Sequence, residues 1–194
     1  MTFEGGNANH GVVLAEFADL TLKHINIRNY SLTGFYVGNS NIQLESIQIF
    51  GQEEIETRGI TCFNVTGSMN QVLVQGHQLQ DFTSGIRLTS SDLILQQVQV
   101  LDNESNSSGA VSIQNSTVQM DQCLVSGNAT AFGNGGGIYI FDSNVNMIGV
   151  NTQHNSAPMG GGIFVQNSEL ELEDCFINEN NANAGGGIYS AASN

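Results

Sequence analysis

The string Gly-Gly-Gly-Ile occurs three times, at Gly135–Ile138, Gly160–Ile163 and Gly185–Ile188, with a spacing of 25 residues both times. A fixed period of this size means that one structural unit is being repeated, and it constrains the fold more than any local propensity. The period reaches well beyond the glycines. A Ser/Thr column runs through Ser40, Thr66, Ser91, Ser116, Ser143, Ser168 and Ser193, at intervals of 26, 25, 25, 27, 25 and 25 residues. Degenerate glycine turns stand at Gly34-Phe35, Gly59-Ile60, Gly85-Ile86 and Gly109-Ala110. One period thus covers nearly all of the chain, which reads as a single domain over 1–194.

Each unit also holds the pattern apolar-x-apolar-x-x-apolar-x-apolar. It is Leu20, Leu22, Ile25, Ile27 in the first copy and Ile42, Leu44, Ile47, Ile49 in the second. Later copies are Leu93, Leu95, Val98, Val100; Val118, Met120, Cys123, Val125; Val145, Met147, Val150, Thr152; and Leu170, Leu172, Cys175, Ile177. The third copy is one residue short and keeps Met69, Val72 and Val74. Each half alternates with period two and so predicts a short half-buried strand, with a bend at the two-residue step. A further alternating strand follows each glycine turn, as in Ile138-Tyr139-Ile140 and Ile163-Phe164-Val165. A propeller blade needs ~40 residues, and a leucine-rich repeat needs its own consensus. What remains is an all-β, right-handed parallel β-helix with three strands per coil. Seven to eight coils at a rise of about 4.8 Å give a solenoid roughly 35 Å long. Leu22, Leu44, Leu95, Met120, Met147 and Leu172 are expected to stack in its core.

Composition narrows the partners. The 194 residues include 18 acidic and only four basic side chains, a formal charge of −14. Such a surface repels phosphate backbones and anionic membranes, so no nucleic-acid partner is expected. No apolar run approaches the ~18 residues of a membrane span, and no membrane insertion is expected. The start, Met-Thr-Phe-Glu-Gly-Gly, lacks the basic and apolar regions of a signal peptide.

Stacked coils turn equivalent positions into columns. Asn103, Asn128, Asn155 and Asn180 share one column over four consecutive coils, where stacked amides can hydrogen-bond along the axis. Earlier coils carry Tyr30, Gln52 and His77 there, which assigns the asparagine ladder to the C-terminal half. The turn glycines Gly137, Gly162 and Gly187 fit a sharp corner entering a strand. A phosphate-binding loop would need a following helix and a Lys-Ser/Thr pair, which are missing. Cys123 and Cys175 share an inward column two coils apart, about 9.6 Å, beyond the reach of a disulfide. Cys62 lies on a different strand, and all three read as small buried hydrophobes. No cysteine-histidine set has zinc spacing. Lys23 and Glu45 fall on adjacent coils as a cross-strand pair. The run Glu169, Glu171, Glu173, Asp174 reads as a solvated strand face, with weak calcium binding as its alternative; no cofactor is otherwise expected.

The units Asn155-Ser-Ala-Pro-Met-Gly-Gly-Gly-Ile-Phe164 and Asn180-Asn-Ala-Asn-Ala-Gly-Gly-Gly-Ile-Tyr189 resemble the GGA(I/L/V) and FxxN repeats of polymorphic outer-membrane proteins. The resemblance is strongest over 117–194 and architectural over 12–116. The third turn residue is Gly here where that family favours Ala. In place of FxxN stand Cys123-Leu-Val-Ser-Gly-Asn128 and Cys175-Phe-Ile-Asn-Glu-Asn180. The resemblance implies a structural or adhesive rod of a secreted or cell-surface protein, with glycans or surface proteins as partners. Its matching positions are scaffold positions and imply no binding residue.

The alternative is a carbohydrate-active β-helix, a lyase or glycoside hydrolase. Its site would lie on the turns of coils two to four, with Glu54, Glu56, Arg58, Asp81 and Arg87 as candidates and Glu53, His77, Asp102 and Glu104 nearby. A glycosidase needs two carboxylates about 5–9.5 Å apart. The third reading is a filament segment, because the sequence starts without a cap and stops within a coil; other parts of a chain or neighbouring subunits would then stack on the ends. Six Asn-x-Ser/Thr sequons occur, at Asn29, Asn64, Asn103, Asn106, Asn115 and Asn128. Ladder burial would hide Asn103 and Asn128, leaving Asn29, Asn64, Asn106 and Asn115 for glycosylation. An extracellular or cell-surface location is expected.

Overall fold

The computed structural model describes residues 2–4, 12–52, 56–79 and 83–192. These are all strand, turn and bend, with no helix. Every strand pairing is parallel, and the chain winds a β-solenoid of about 7 turns with about 25 residues per turn. One coil shows the plan. Asp92–Gln96 and Gln99–Leu101 form the two halves of the apolar pattern. Glu104–Ser105 is a short third segment, and Val111–Gln114 follows the glycine turn. The short segment adds a five-stranded sheet to the three strands per coil that the apolar pattern predicts. Its copies, Gln-Leu, Glu-Ser, Ala-Thr, Ser-Ala-Pro-Met and Asn-Ala-Asn-Ala, are too short or too polar to show apolar alternation, so periodicity cannot find them.

Register keeps each column in line. Leu95 pairs with Met69 on one side and Met120 on the other, and Met120 pairs with Met147. Leu44, Met69, Leu95, Met120 and Met147 are fully buried. Two members of the expected core differ. Leu22 is only partly buried, and Leu172 is 40% exposed, because among the described residues each is paired on one side only, with Leu44 and Met147 respectively. The alternation fixes which way a side chain faces; coverage needs a neighbouring coil.

The short third copy is a local rearrangement. Gly67, at φ +124°, takes the inward place that Ile42 and Leu93 hold in the adjoining coils. The Ser/Thr column shifts with it: Val65, not Thr66, pairs with Ser40, and its amide donates to Ser91 Oγ at 3.1 Å. The column itself is a corner device. Ser91, Ser116 and Ser143 each donate their amide N–H to the hydroxyl of the next serine, at 3.0–3.1 Å. Each hydroxyl donates back to the carbonyl two residues before it, at 2.7–2.9 Å. The residue before each of these serines is left-handed (Ser90, Asn115, Asp142), and the hydroxyl pair ties the corner it makes.

The glycine run solves two problems in sequence. Gly160 has φ +63°, and a Cβ there would lie 2.5 Å from Ile163 O, so glycine meets both the turn and the close contact. Gly162 then passes the next coil closely: a Cβ there would lie 2.7 Å from Gly187 O and 2.8 Å from Asn180 Nδ2. Gly187 occupies the same position in the last described coil, where a Cβ would meet only Ile177 Cγ2 at 3.5 Å. Gly162→Ala is therefore expected to destabilise by about 1–3 kcal/mol, the usual range for overpacking. Gly187→Ala is expected to cost less than about 0.5 kcal/mol. Urea titrations of both variants check this, and equal effects would remove close approach as the cause.

Candidate functional site

The most extensively bonded group of polar side chains lies inside the solenoid, at the corner between the second strand and the short segment. A left-handed residue opens this corner: Asn29, Gly76, Asp102, Gly127, His154 or Glu179. The next residue turns its side chain inward. Asn103, Asn128 and Asn155 are at most 1% exposed, and Asn180 is half-buried. Each amide oxygen accepts twice from the preceding coil. Asn128 Oδ1 takes Asn103 N–H at 2.9 Å and Asn103 Nδ2 at 3.0 Å. Asn155 Oδ1 takes Asn128 N–H at 3.0 Å and Asn128 Nδ2 at 2.9 Å. Asn180 Oδ1 takes Asn155 N–H at 2.9 Å and Asn155 Nδ2 at 3.0 Å. The second N–H of Asn103, Asn128, Asn155 and Asn180 goes to the carbonyls of Val74, Val100, Val125 and Thr152.

The column continues where the residues change type. Asn103 Oδ1 accepts from His77 N–H and from His77 Nδ1, both at 3.0 Å. The ladder holds Asn103 Oδ1 as an acceptor, so Nδ1 carries the proton and Nε2 is bare. Nε2 then accepts from the Tyr30 hydroxyl at 2.5 Å, and the same hydroxyl lies 3.0 Å from Arg58 O. Burial pushes His77 down to about 4, against the opposing effect of its bond to Asn103. Burial also raises the Tyr30 phenol, which keeps it a donor. Gln52, with its amide oxygen facing inward, accepts from Asn29 N–H at 3.0 Å and Tyr30 N–H at 2.7 Å. His77, Gln52 and Tyr30 thus extend toward the N-terminus the column that the sequence confines to the C-terminal half.

The carboxylate and arginine candidates are dispersed. Glu54 and Asp81, with Glu53, lie outside the described residues. Glu56 is exposed and bridges Gln78 on the short-segment sheet. Arg58 follows two residues later and pairs with Thr33. Arg87 is on the strand after the glycine turn, half-buried between Thr61 and Ser112. Asp102 is exposed at its corner and accepts from Gln75 Nε2 at 3.0 Å. His77 is committed to the ladder and lies away from any surface site. Among the described residues no group of three or more His, Cys, Asp or Glu is placed to hold a metal ion. Glu169, Glu171 and Glu173 are exposed on one strand.

The three cysteines are free thiols. Burial pushes Cys62 up to about 12 and Cys123 up to about 11. Lys23 and Glu45 form an ion pair at 2.5 Å, and the bonded ammonium holds the Glu45 carboxyl below its usual range. Of the sequons, Asn29, Asn64 and Asn115 are exposed and Asn106 is half-buried, whereas Asn103 and Asn128 are buried in the ladder. Tyr139, Phe164 and Tyr189 stack as an aromatic column with ring centroids 5.4 and 5.5 Å apart, a pattern visible in the sequence only once the register is known.

No protein-family model and no curated protein matches this chain. Among solved structures it is similar to HetL, a pentapeptide repeat protein involved in heterocyst differentiation regulation from the cyanobacterium Nostoc sp. strain PCC 7120. The match covers 94% of this chain and 93% of that one at 8% identity, with a TM-score of 0.20. The chain is a parallel β-solenoid repeat protein.

Proposed function

We propose that this solenoid is a non-catalytic rod with a structural or adhesive role at a cell surface or in an extracellular filament. The observation that carries the reading is the use made of the recurring polar residues. The asparagine column, its His77 and Gln52 extension and the serine corners are all bonded coil to coil. Chemistry needs groups that the scaffold does not consume, and an active site usually breaks the pattern around it. Here the repeat residues serve the stacking itself, and the outer faces are left to make contacts. Neighbouring solenoid ends and surface glycans or proteins are the partners this role implies.

The test is a screen of neutral and acidic polysaccharides, with and without calcium, reading released reducing ends and unsaturated products. No turnover is expected from the wild type. Turnover that disappears in a Glu54/Asp81/Arg87 triple alanine variant would overturn the rod reading and give the carbohydrate-active alternative. Immunolabelling of intact source cells checks the location, and a signal confined to the cytoplasm would remove that part.

A further inference from the structure

A long groove follows the bend between the two halves of the apolar pattern, with a volume of about 830 Å³. Its floor and rims are His24, Ser46, Gln71, Gln97 and Gln122 at the bend, and Asn26, Gln48 and Gln99 on the second strand. The bend residues are left-handed in every one of these coils, which turns their side chains outward. They form a second amide ladder, this one in solvent. Ser46 Oγ donates to Gln71 Oε1 at 3.1 Å, Gln71 Nε2 to Gln97 Oε1 at 3.3 Å, and Gln97 Nε2 to Gln122 Oε1 at 3.4 Å. Beside it Asn26 Nδ2 donates to Gln48 Oε1 at 3.1 Å. Five coils at a rise of about 4.8 Å make the track about 19 Å long.

Two properties of the groove define a ligand. The first is charge. The protein carries −14, yet among the described residues no Asp, Glu, Lys or Arg lines the groove. A charged polymer would find no partner there, and an anionic one would be repelled by the rest of the molecule. The second is the pattern of unused hydrogen-bonding capacity. A primary amide has two N–H donors and an oxygen with two lone pairs. The ladder uses one donor and one acceptor of Gln71 and of Gln97, so each keeps one of both facing outward. That pair repeats at the coil rise, and vicinal hydroxyls of a sugar chain offer the complementary donor and acceptor. Half-buried Leu73 and Leu124 stand in the same wall and offer apolar surface to the C–H faces of the rings. A peptide strand is served less well: the backbone edges here are already paired within the solenoid, and among the described residues the groove has no Phe, Tyr, Trp or Arg anchor.

From this we infer that the glutamine groove is a binding track for an uncharged, hydroxyl-rich polysaccharide lying along the solenoid axis. The inference rests on the adhesive form of the rod reading and supplies its ligand class. The experiment is affinity electrophoresis of the full chain in gels containing a soluble β-1,3-glucan, a galactomannan, dextran or polygalacturonate. Three variants run beside the wild type: Gln97→Glu, Gln71→Ala/Gln97→Ala and, on another face, Gln43→Ala. Urea titration first establishes that each is folded. Retardation by at least one neutral polymer is expected, with none by polygalacturonate. Both groove variants should weaken it by about tenfold or more, the loss of one or two good hydrogen bonds (~1.4 kcal/mol). Gln43→Ala should bind as the wild type does. Absence of retardation in every neutral gel, or equal retardation of all variants, overturns the inference. So does concentration-dependent self-association of the wild type that Gln97→Glu abolishes, which would give the groove to a second copy. Release of reducing ends is a separate outcome and would instead sink the non-catalytic reading.

Discussion

Asn128→Ala should lower the free energy of unfolding by about 2–5 kcal/mol, the largest effect expected of any single substitution considered. Asn128 makes four side-chain hydrogen bonds within the solenoid, two accepted and two donated. Truncation strands the buried Asn103 backbone N–H and the Asn103 side-chain N–H, and removes one of the donors to the Val100 carbonyl. Each orphaned group costs about 1–3 kcal/mol. The neighbours cannot slide in, because the coil rise is fixed by the backbone ladders on both sides. Asn41 is the control. Its Nδ2 donates to Thr66 Oγ1 at 3.0 Å, but the pair is exposed, so Asn41→Ala should cost less than about 0.5 kcal/mol. Paired urea titrations decide the matter. Equal, small losses at both sites would mean that the inner ladder contributes no more than a surface contact.

His77 should make stability pH-dependent in a window that the rest of the ladder cannot produce. Its imidazole is held neutral, with its pKa pushed to about 4 by burial, against about 6.5 in an unfolded chain. Between these values the unfolded state binds a proton that the native state does not. Stability is therefore complete above about pH 6.5 and falls as the pH drops toward 4, by about 3 kcal/mol in total. Below about pH 4 both states are protonated and this contribution stops changing. His77→Asn should remove that part of the slope while keeping an amide able to donate to Asn103 Oδ1. Comparing wild type with variant at each pH cancels the carboxylates, whose titration the two proteins share. An unchanged slope, or stability that rises on acidification, would show instead that the imidazole is charged within the fold.

How much of this could be read from the sequence depends on whether a position repeats its chemistry or only its job. Leu95, Met120 and Met147 repeat both, so the apolar alternation places them and the fold with them. Asn103, Asn128, Asn155 and Asn180 stand out for the same reason. His77 and Gln52 hold the same corner with different groups, and no pattern of identities links them to asparagine; only the donor and acceptor geometry does. The serine column is visible as a period, but its purpose is not, because a hydroxyl that bonds backbone on two coils looks like any turn serine. Thr66 is misplaced by one residue because Gly67 absorbs an offset that spacing alone assigns to the neighbouring column. The glutamines at the bend escape notice altogether. Gln71, Gln97 and Gln122 sit in polar stretches where a glutamine is unremarked until register aligns them.

The inner amides also have a direction. In every link from Asn103 to Asn180 the oxygen faces the N-terminal neighbour and the nitrogen faces the C-terminal one. Aligned bond dipoles add, as peptide dipoles do along a helix, and leave the column positive toward Asn180 and negative toward His77. The formal charges are uneven in the same sense. Glu169, Glu171, Glu173, Asp174 and Glu179 gather in the coil at the positive end, and residues 98–194 hold nine acidic and no basic side chains, against nine acidic and four basic over 1–97. The solenoid is thus electrically asymmetric along its axis, with the denser carboxylate charge at the Asn180 end, and an approaching molecule meets a different field at each end.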